Sequence, residues 1–379
     1  MRIKNITVLG SGTMGHGIAQ VAAMSGYKVS MRDTNQEYLD AAMDKIANSL
    51  ATFVSKHKIS EDNANAAFSK ISPQVELKAA LKDSDMVIEA VPETLEIKKA
   101  TYLEVDSFSE KKTIYASNTS TLPIAEVASY TSRPEKFIGV HFFNPPQVMK
   151  LVEVIPGEKT SRETTSAVMD FVKSASKEPI LCKKDVPGFI VNRIFIPFVH
   201  EATWAMERTG ASILEIDSAV KFKLHFPMGI FELADFTGID IVHNATEQMH
   251  LRDKVVVNPH PLIKKLYDKK MLGQKTGSGF YVYPDPSAKP ELSEGMASCF
   301  DPTHILGTIL NNAGWLISNN VANLMEIEKT LSLGMRLQRP LFDTAEEFGI
   351  SNIVSELKAL SRQHGPFYKP DPYLASLSI

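Results

Sequence analysis

Cysteine is nearly absent from this chain: 379 residues contain two, Cys182 and Cys299. Two thiols can build neither a disulfide framework nor a thiolate zinc site, which suits a reducing compartment, and no metal site is expected. Long apolar runs are missing too. None approaches the roughly 20 residues that span a bilayer, which excludes an integral helical membrane protein. Neither sign of charge dominates, with 41 Lys and Arg against 44 Asp and Glu, so no general attraction for nucleic acid is implied. The first apolar stretch, Ile3 to Leu9, is too short for a secretory signal and lacks a small-residue cleavage pattern, so a cytoplasmic location is expected.

What the chain does contain is length for two or three domains and a glycine-rich turn near its start. A strand through Ile6-Thr7-Val8-Leu9 runs into Gly10-Ser11-Gly12-Thr13-Met14-Gly15, and an apolar-periodic helix follows to Gly26. The first glycine permits a tight turn, the second lets the backbone approach a pyrophosphate, and the third lets helix and strand pack closely. A second strand, Tyr27 to Met31, delivers Asp33, 18 residues beyond Gly15, near the spacing of a ribose-binding acid. A carboxylate there accepts ribose hydroxyls and repels a 2′-phosphate, so the expected cofactor is NAD. Arg32 dissents, but alternation along a strand points it away from Asp33.

Further strand-like runs at Met86–Ile88, Thr113–Ala116, Phe137–Val140, Leu151–Ile155 and Pro179–Leu181 alternate with helical patterns, which predicts an open parallel sheet. Helices from Glu37 to Lys58 and Glu61 to Ser69 read as an insertion carrying Lys45, Lys56 and Lys58. After Asp185 the pattern turns helical to about residue 283, where Gly277 to Tyr283 reads as a closing strand. Proline-rich Pro284 to Pro290 reads as a linker. Beyond it the helical pattern repeats. The only tryptophans, Trp204 and Trp315, are 111 residues apart, and the same offset pairs Phe231 with Phe342, Ala234 with Ala345, Gly238 with Gly349 and Ile239 with Ile350. The polar segment Pro187 to Arg193 has no counterpart in the second copy, which therefore reads as structural. The expected fold is α/β plus all-α: a Rossmann-type parallel sheet domain over 1–185, a helical domain over 186–283 and a degenerate second helical domain over 284–379.

The segment His141-Phe142-Phe143-Asn144-Pro145-Pro146-Gln147-Val148-Met149-Lys150-Leu151-Val152-Glu153 brackets a helix-forbidding turn between two strand-like runs. Strands lying side by side bring His141 to Glu153. A carboxylate fixes the tautomer of a neighbouring imidazole and stabilises the imidazolium, which equips the pair to take a proton from an alcohol.

Taken in order, GSGTMG, VIEAVPE, SNTS, HFFNPPQVMKLVE, DVPGFIVNR, FPMGIFELAD and KTGSGFY make the chain resemble the L-3-hydroxyacyl-CoA dehydrogenases, which include 3-hydroxybutyryl-CoA dehydrogenases, in a form with a duplicated C-terminal helical domain. The resemblance implies that His141 is the base, Glu153 its orienting carboxylate, and Ser120 and Asn192 the groups that hydrogen-bond the reacting oxygen and the histidine. It also implies that Glu93, Lys98, Asn144 and Lys275 contact NAD and that Ser49 and Lys56 contact the acyl-CoA. Read without it, Ser120 suits a helix N-cap and the lysines a solvated face. The family's shorter members dimerise through the C-terminal domain, so a tandem copy implies a pseudo-dimer within one chain, with a homo-oligomer as the alternative. Two other readings are a dehydrogenase of a free hydroxy acid and a non-catalytic, crystallin-like relative; intact His141, Glu153 and Asn192 argue against the latter.

Overall fold

A computed structural model describes residues 3–285 and 287–378. Pro286, inside the expected linker, lies outside the described residues. The chain forms two compact units, Met1–Asp185 and Val186–Ile379.

The first unit is built on one eight-stranded sheet in the order β3-β2-β1-β4-β5-β6-β7-β8. The strands are β1 Asn5–Leu9, β2 Lys28–Arg32, β3 Ile71–Gln74, β4 Met86–Glu89, β5 Ile114–Ser117, β6 Phe137–Phe142, β7 Leu151–Pro156 and β8 Glu178–Leu181. Helices α1 Gly15–Met24, α2 Gln36–Ser55, α3 Glu61–Phe68, α4 Leu77–Ala80, α5 Leu95–Phe108, α6 Ile124–Ala128 and α7 Arg162–Ser174 make the connections. Asn35, Ser60 and Ser161 start α2, α3 and α7 by accepting a backbone N–H on their side chains. β4 and β5 are buried at every position, as strands covered on both faces must be, and Ile6, Val8, Ile88, Ile138 and Val140 join one core with Ile18 and Val168.

Two sequence expectations need correction in this unit. The sheet is not wholly parallel, because β7 runs antiparallel to β6. The α2–α3 pair is also no free insertion, since it leads into β3, which pairs parallel with β2. That strand was missed because it is short, carries Pro73 and exposes Ser72 and Pro73, as an edge strand can.

The second unit is helical: α8 Val191–Thr209, α9 Ile213–Phe222, α10 Ile230–Thr237, α11 Ile239–Arg252, α12 Pro261–Asp268, α13 Glu294–Ala297, α14 Thr303–Ser318, α15 Leu324–Gly334, α16 Leu341–Phe348, α17 Ile350–His364 and α18 Pro372–Ser376. The expected strand at Gly277 to Tyr283 does not form. Only isolated bridges, Gly273 to Ser278 and Ser278 to Val282, occur there, because the Asp235 carboxylate takes the Phe280 and Tyr281 amides that a ladder would need.

Helices α14 to α18 follow α8 to α12 at the 111-residue offset, and local details follow with them. Ser212 and Glu215 form a capping box at α9, Asn323 and Glu326 at α15. His225 and Arg336 both have positive φ, 59° and 54°. The His260 ring caps α12 on the Leu262 amide, and Asp371 caps α18 on that of Tyr373. His200 Nδ1 accepts the His260 amide at 2.9 Å, and Asn311 Oδ1 accepts the Asp371 amide at 2.6 Å. The corresponding helices α8 and α14 pack on each other.

Candidate active site

Most of the sequence-predicted residues of the first unit gather at one edge of its sheet, the carboxyl ends of the parallel strands, where open α/β sheets bind ligands. Gly10 to Gly15 follow β1, Asp33 follows β2, Glu93 follows β4, Ser120 follows β5, and His141 sits at the end of β6.

The glycine turn has the shape expected of a phosphate cradle. Gly10 has φ +88°, and a side chain on Gly15 would strike the Gly10 carbonyl, so both positions require glycine. A Cβ on Gly12 would meet nothing within 4 Å, which leaves its face open to a ligand. Asp33 Oδ2 accepts the Ser11 amide at 2.7 Å and the Ser11 hydroxyl at 2.8 Å, and Oδ1 accepts the Thr34 amide. Burial raises its pKa, but these bonds outweigh burial and hold the carboxyl below its ordinary value. Arg32 donates Nε to the Val75 carbonyl and, contrary to the alternation argument, also lines the cavity beside Asp33. A cavity of about 720 Å³ lined by Gly10 to Met14, Asp33, Tyr38 and Ile97 fits a dinucleotide's adenosine and phosphates.

His141 and Glu153 are direct partners in the β6–β7 register. The Nδ1 atom lies 2.7 Å from Glu153 Oε2, and Glu153 is wholly buried. The Phe142 amide donates to Asn118 Oδ1 at 2.9 Å, which ties the strand end carrying the imidazole to the loop carrying Ser120.

That loop is fastened by acids. Glu93 Oε1 accepts the Ser120 amide at 2.8 Å and the Thr119 hydroxyl at 2.5 Å. Lys98, 1 % exposed, donates to Glu89 Oε1 at 2.6 Å and lies 3.1 Å from Glu93. Burial works against the ammonium, but the two carboxylates raise its pKa above the ordinary value. Glu93 is pushed up by burial and, more strongly, held down by Lys98, Thr119 and Ser120. Thus Lys98 and Glu93 brace the Ser120 loop. Ser120 does not cap α6, whose N-cap position is Pro123 with no side-chain bond.

The remaining predicted residues are more dispersed. Ser49 is half-buried on α2, and Lys56, exposed, is the C-cap residue just past its end. Asn144 is exposed in the β6–β7 turn. Asn192 lies in the first turn of α8, and Lys275 pairs with Asp240, both in the second unit. Sequence reasoning missed Glu89, Asn118 and Lys177. An acid inside the apolar run of β4 was a readable signal for Glu89. Lys177 Nζ donates to the carbonyls of Pro146 at 2.6 Å and Met149 at 2.7 Å, clasping the turn between His141 and Glu153, and burial followed by Lys150 lowers its pKa to about 8.

Residues 5–186 match the family model for the 3-hydroxyacyl-CoA dehydrogenase NAD binding domain, and residues 188–283 that for the C-terminal domain. Rat mitochondrial hydroxyacyl-coenzyme A dehydrogenase is 40 % identical over 288 residues, 74 % of this chain and 91 % of the relative. A probable 3-hydroxybutyryl-CoA dehydrogenase of Bacillus subtilis is 39 % identical over 290 residues, 76 % of this chain and 100 % of the relative. The crystal structure of 3-hydroxybutyryl-CoA dehydrogenase from Escherichia coli superposes with a TM-score of 0.89 at 25 % identity, covering 100 % of this chain and 98 % of that one. Among the described residues no helix is long and apolar enough to cross a membrane.

Proposed function

This chain belongs to the 3-hydroxyacyl-CoA dehydrogenase family of NAD-dependent oxidoreductases, and we propose that it interconverts (S)-3-hydroxyacyl-CoA and 3-ketoacyl-CoA, with a short acyl chain such as 3-hydroxybutyryl as substrate. The observation that carries the reading is the buried His141–Glu153 pair at the sheet edge that also carries the glycine cradle. Glu153 holds the ring through Nδ1, so His141 exchanges the hydroxyl proton at Nε2 and is stabilised as imidazolium after taking it. NAD, when bound, supplies the redox half of the reaction as acceptor or donor of hydride. Ser120 and Asn192 act as hydrogen-bonding groups for the reacting oxygen. Ser49 and Lys56 serve the coenzyme A portion, whose phosphates suit an exposed ammonium. Glu93, Lys98, Asn144 and Lys275 serve the NAD site, the first two by bracing as well as by contact.

We place the enzyme in the cytoplasm, in fatty acid or short-chain acyl-CoA metabolism. NADH consumption with acetoacetyl-CoA, compared with free acetoacetate, tests the substrate class. Turnover of the thioester alone supports it, whereas preference for the free acid points to a hydroxy-acid dehydrogenase.

We further propose that residues 284–379 are a degenerate second copy of the helical domain 186–283, docked on the first as a pseudo-dimer. The shared caps, shared positive-φ sites and the α8–α14 packing support this. Light scattering on the whole chain tests it. A monomer is expected, and a dimer built through α8 of both copies contradicts it.

A further inference from the structure

Residues beyond 283 lie outside both family-matched segments, yet one of their side chains reaches the first turn of α8. That turn opens from a tight reversal. Gly188 and Phe189 have positive φ, 77° and 52°, and the Arg193 amide closes the reversal on the Gly188 carbonyl at 3.0 Å. Arg193 follows Asn192 directly. Its guanidinium, 3 % exposed, lies over the indole of Trp315 with 3.3 Å from Cζ to the ring centroid, while Asp253 stands 3.9 Å away. A desolvated guanidinium over a tryptophan face is the strongest form of this contact. The stack therefore fixes where Arg193 points and, through the peptide they share, how the turn bearing Asn192 is held. About two helical turns further along α8, a second link joins the two halves of the helical unit. Tyr368 donates its hydroxyl to the buried Glu201 carboxylate at 2.8 Å, and Arg208 pairs with the same acid. Asn192 is far along α8 from that link.

We propose that the C-terminal segment is a working part of the catalytic unit: Trp315 is a positioning residue that acts through Arg193 on Asn192. This rests on the reading that Asn192 serves the reacting oxygen. A displaced turn misplaces a hydrogen-bonding group without removing it, so the chemical step suffers while binding of NADH and thioester is spared.

The experiment compares kcat and KM for acetoacetyl-CoA and NADH in wild type, Trp315→Leu, Trp315→Phe, Tyr368→Phe, Asn192→Ala and the Asn192→Ala/Trp315→Leu double variant, each assayed well below its Tm. Trp315→Leu is expected to lower kcat by about tenfold or more with little change in either KM. Trp315→Phe, which keeps an aromatic face, restores most of the rate. Tyr368→Phe lowers Tm but leaves kcat unchanged. In the Asn192→Ala background Trp315→Leu has no additional effect, because both act through one group. Should Trp315→Leu not fold, Arg193→Lys reads the same link from its other side, since an ammonium loses the planar stack and keeps the charge. A wild-type kcat in Trp315→Leu, equal losses in both backgrounds, or a loss in Tyr368→Phe that matches Trp315→Leu overturns the inference. A wild type inactive on acetoacetyl-CoA overturns the functional reading together with it, whereas an active wild type beside an unimpaired Trp315→Leu overturns the inference alone.

Discussion

His141 and Glu153 face each other across the junction where the sheet changes from parallel to antiparallel, with Nδ1 2.7 Å from a carboxylate that has no exposure to solvent. A reversal there lets two consecutive strands bring base and acid together in register, and only the eight residues Phe143 to Lys150 are needed to connect them. Replacing Glu153 by Gln keeps the shape and removes the charge that stabilises the imidazolium. The expected result is a fall in kcat of about two orders of magnitude or more, with NADH affinity, followed by fluorescence titration, little changed.

Asp33 is held in place by the Ser11 and Thr34 amides. Asp33→Ser is expected to raise KM for NADH by about tenfold to a hundredfold, the worth of charge-assisted hydrogen bonds, and to narrow the preference over NADPH. The rate at saturation should stay near wild type. Steady-state kinetics with both cofactors measures this.

Lys98 stands between Glu89 and Glu93 with almost no exposure. Lys98→Met leaves the buried Glu89 without its cation and takes the ammonium from the partly exposed Glu93. Breaking a buried pair from one side costs about 3–5 kcal/mol, and denaturant unfolding should show a loss of that size, with weaker turnover because the Ser120 loop loses its brace.

How much of this was legible in the chain varied with how local the signal was. Glycine spacing and the distance to Asp33 pointed to the candidate cofactor site, because a phosphate cradle is made from consecutive backbone. The His141–Glu153 pair was readable because Asn-Pro-Pro permits a turn and forbids a helix. Side chains that meet across the sheet left weaker traces. Nothing near Lys177 in sequence indicates that its ammonium caps carbonyls of the turn some thirty residues earlier. The false strand at Gly277 to Tyr283 looked right by composition, yet its amides were claimed by Asp235, which lies over forty residues upstream. β3 failed in the opposite sense, as pairing with β2 overrode an unpromising sequence.

Acid should weaken the helical unit through His200. Burial, followed by the nearby His260, His243 and His250, lowers its pKa from 6.5 to about 3, and Nδ1 accepts an amide proton in the folded state. The unfolded chain binds a proton that the folded chain refuses, so this group's contribution is complete above pH 6.5 and is lost as pH falls from there toward 3, by up to about 1.4 kcal/mol per pH unit. Asp217, whose buried carboxyl is raised to about 7, acts with the opposite sign, losing its contribution as pH rises through 7. His200→Asn separates the two. Asparagine does the same work at Asn311 and does not titrate, so the acid-side slope of stability against pH should flatten.

The central claim is proton transfer by His141, and the most direct measurement is the rate of NADH oxidation by acetoacetyl-CoA in wild type and His141→Gln, with NADH binding measured on the same samples. The variant is expected to bind NADH normally and to lose turnover by about two orders of magnitude or more. A His141→Gln enzyme that turns over at the wild-type rate contradicts it.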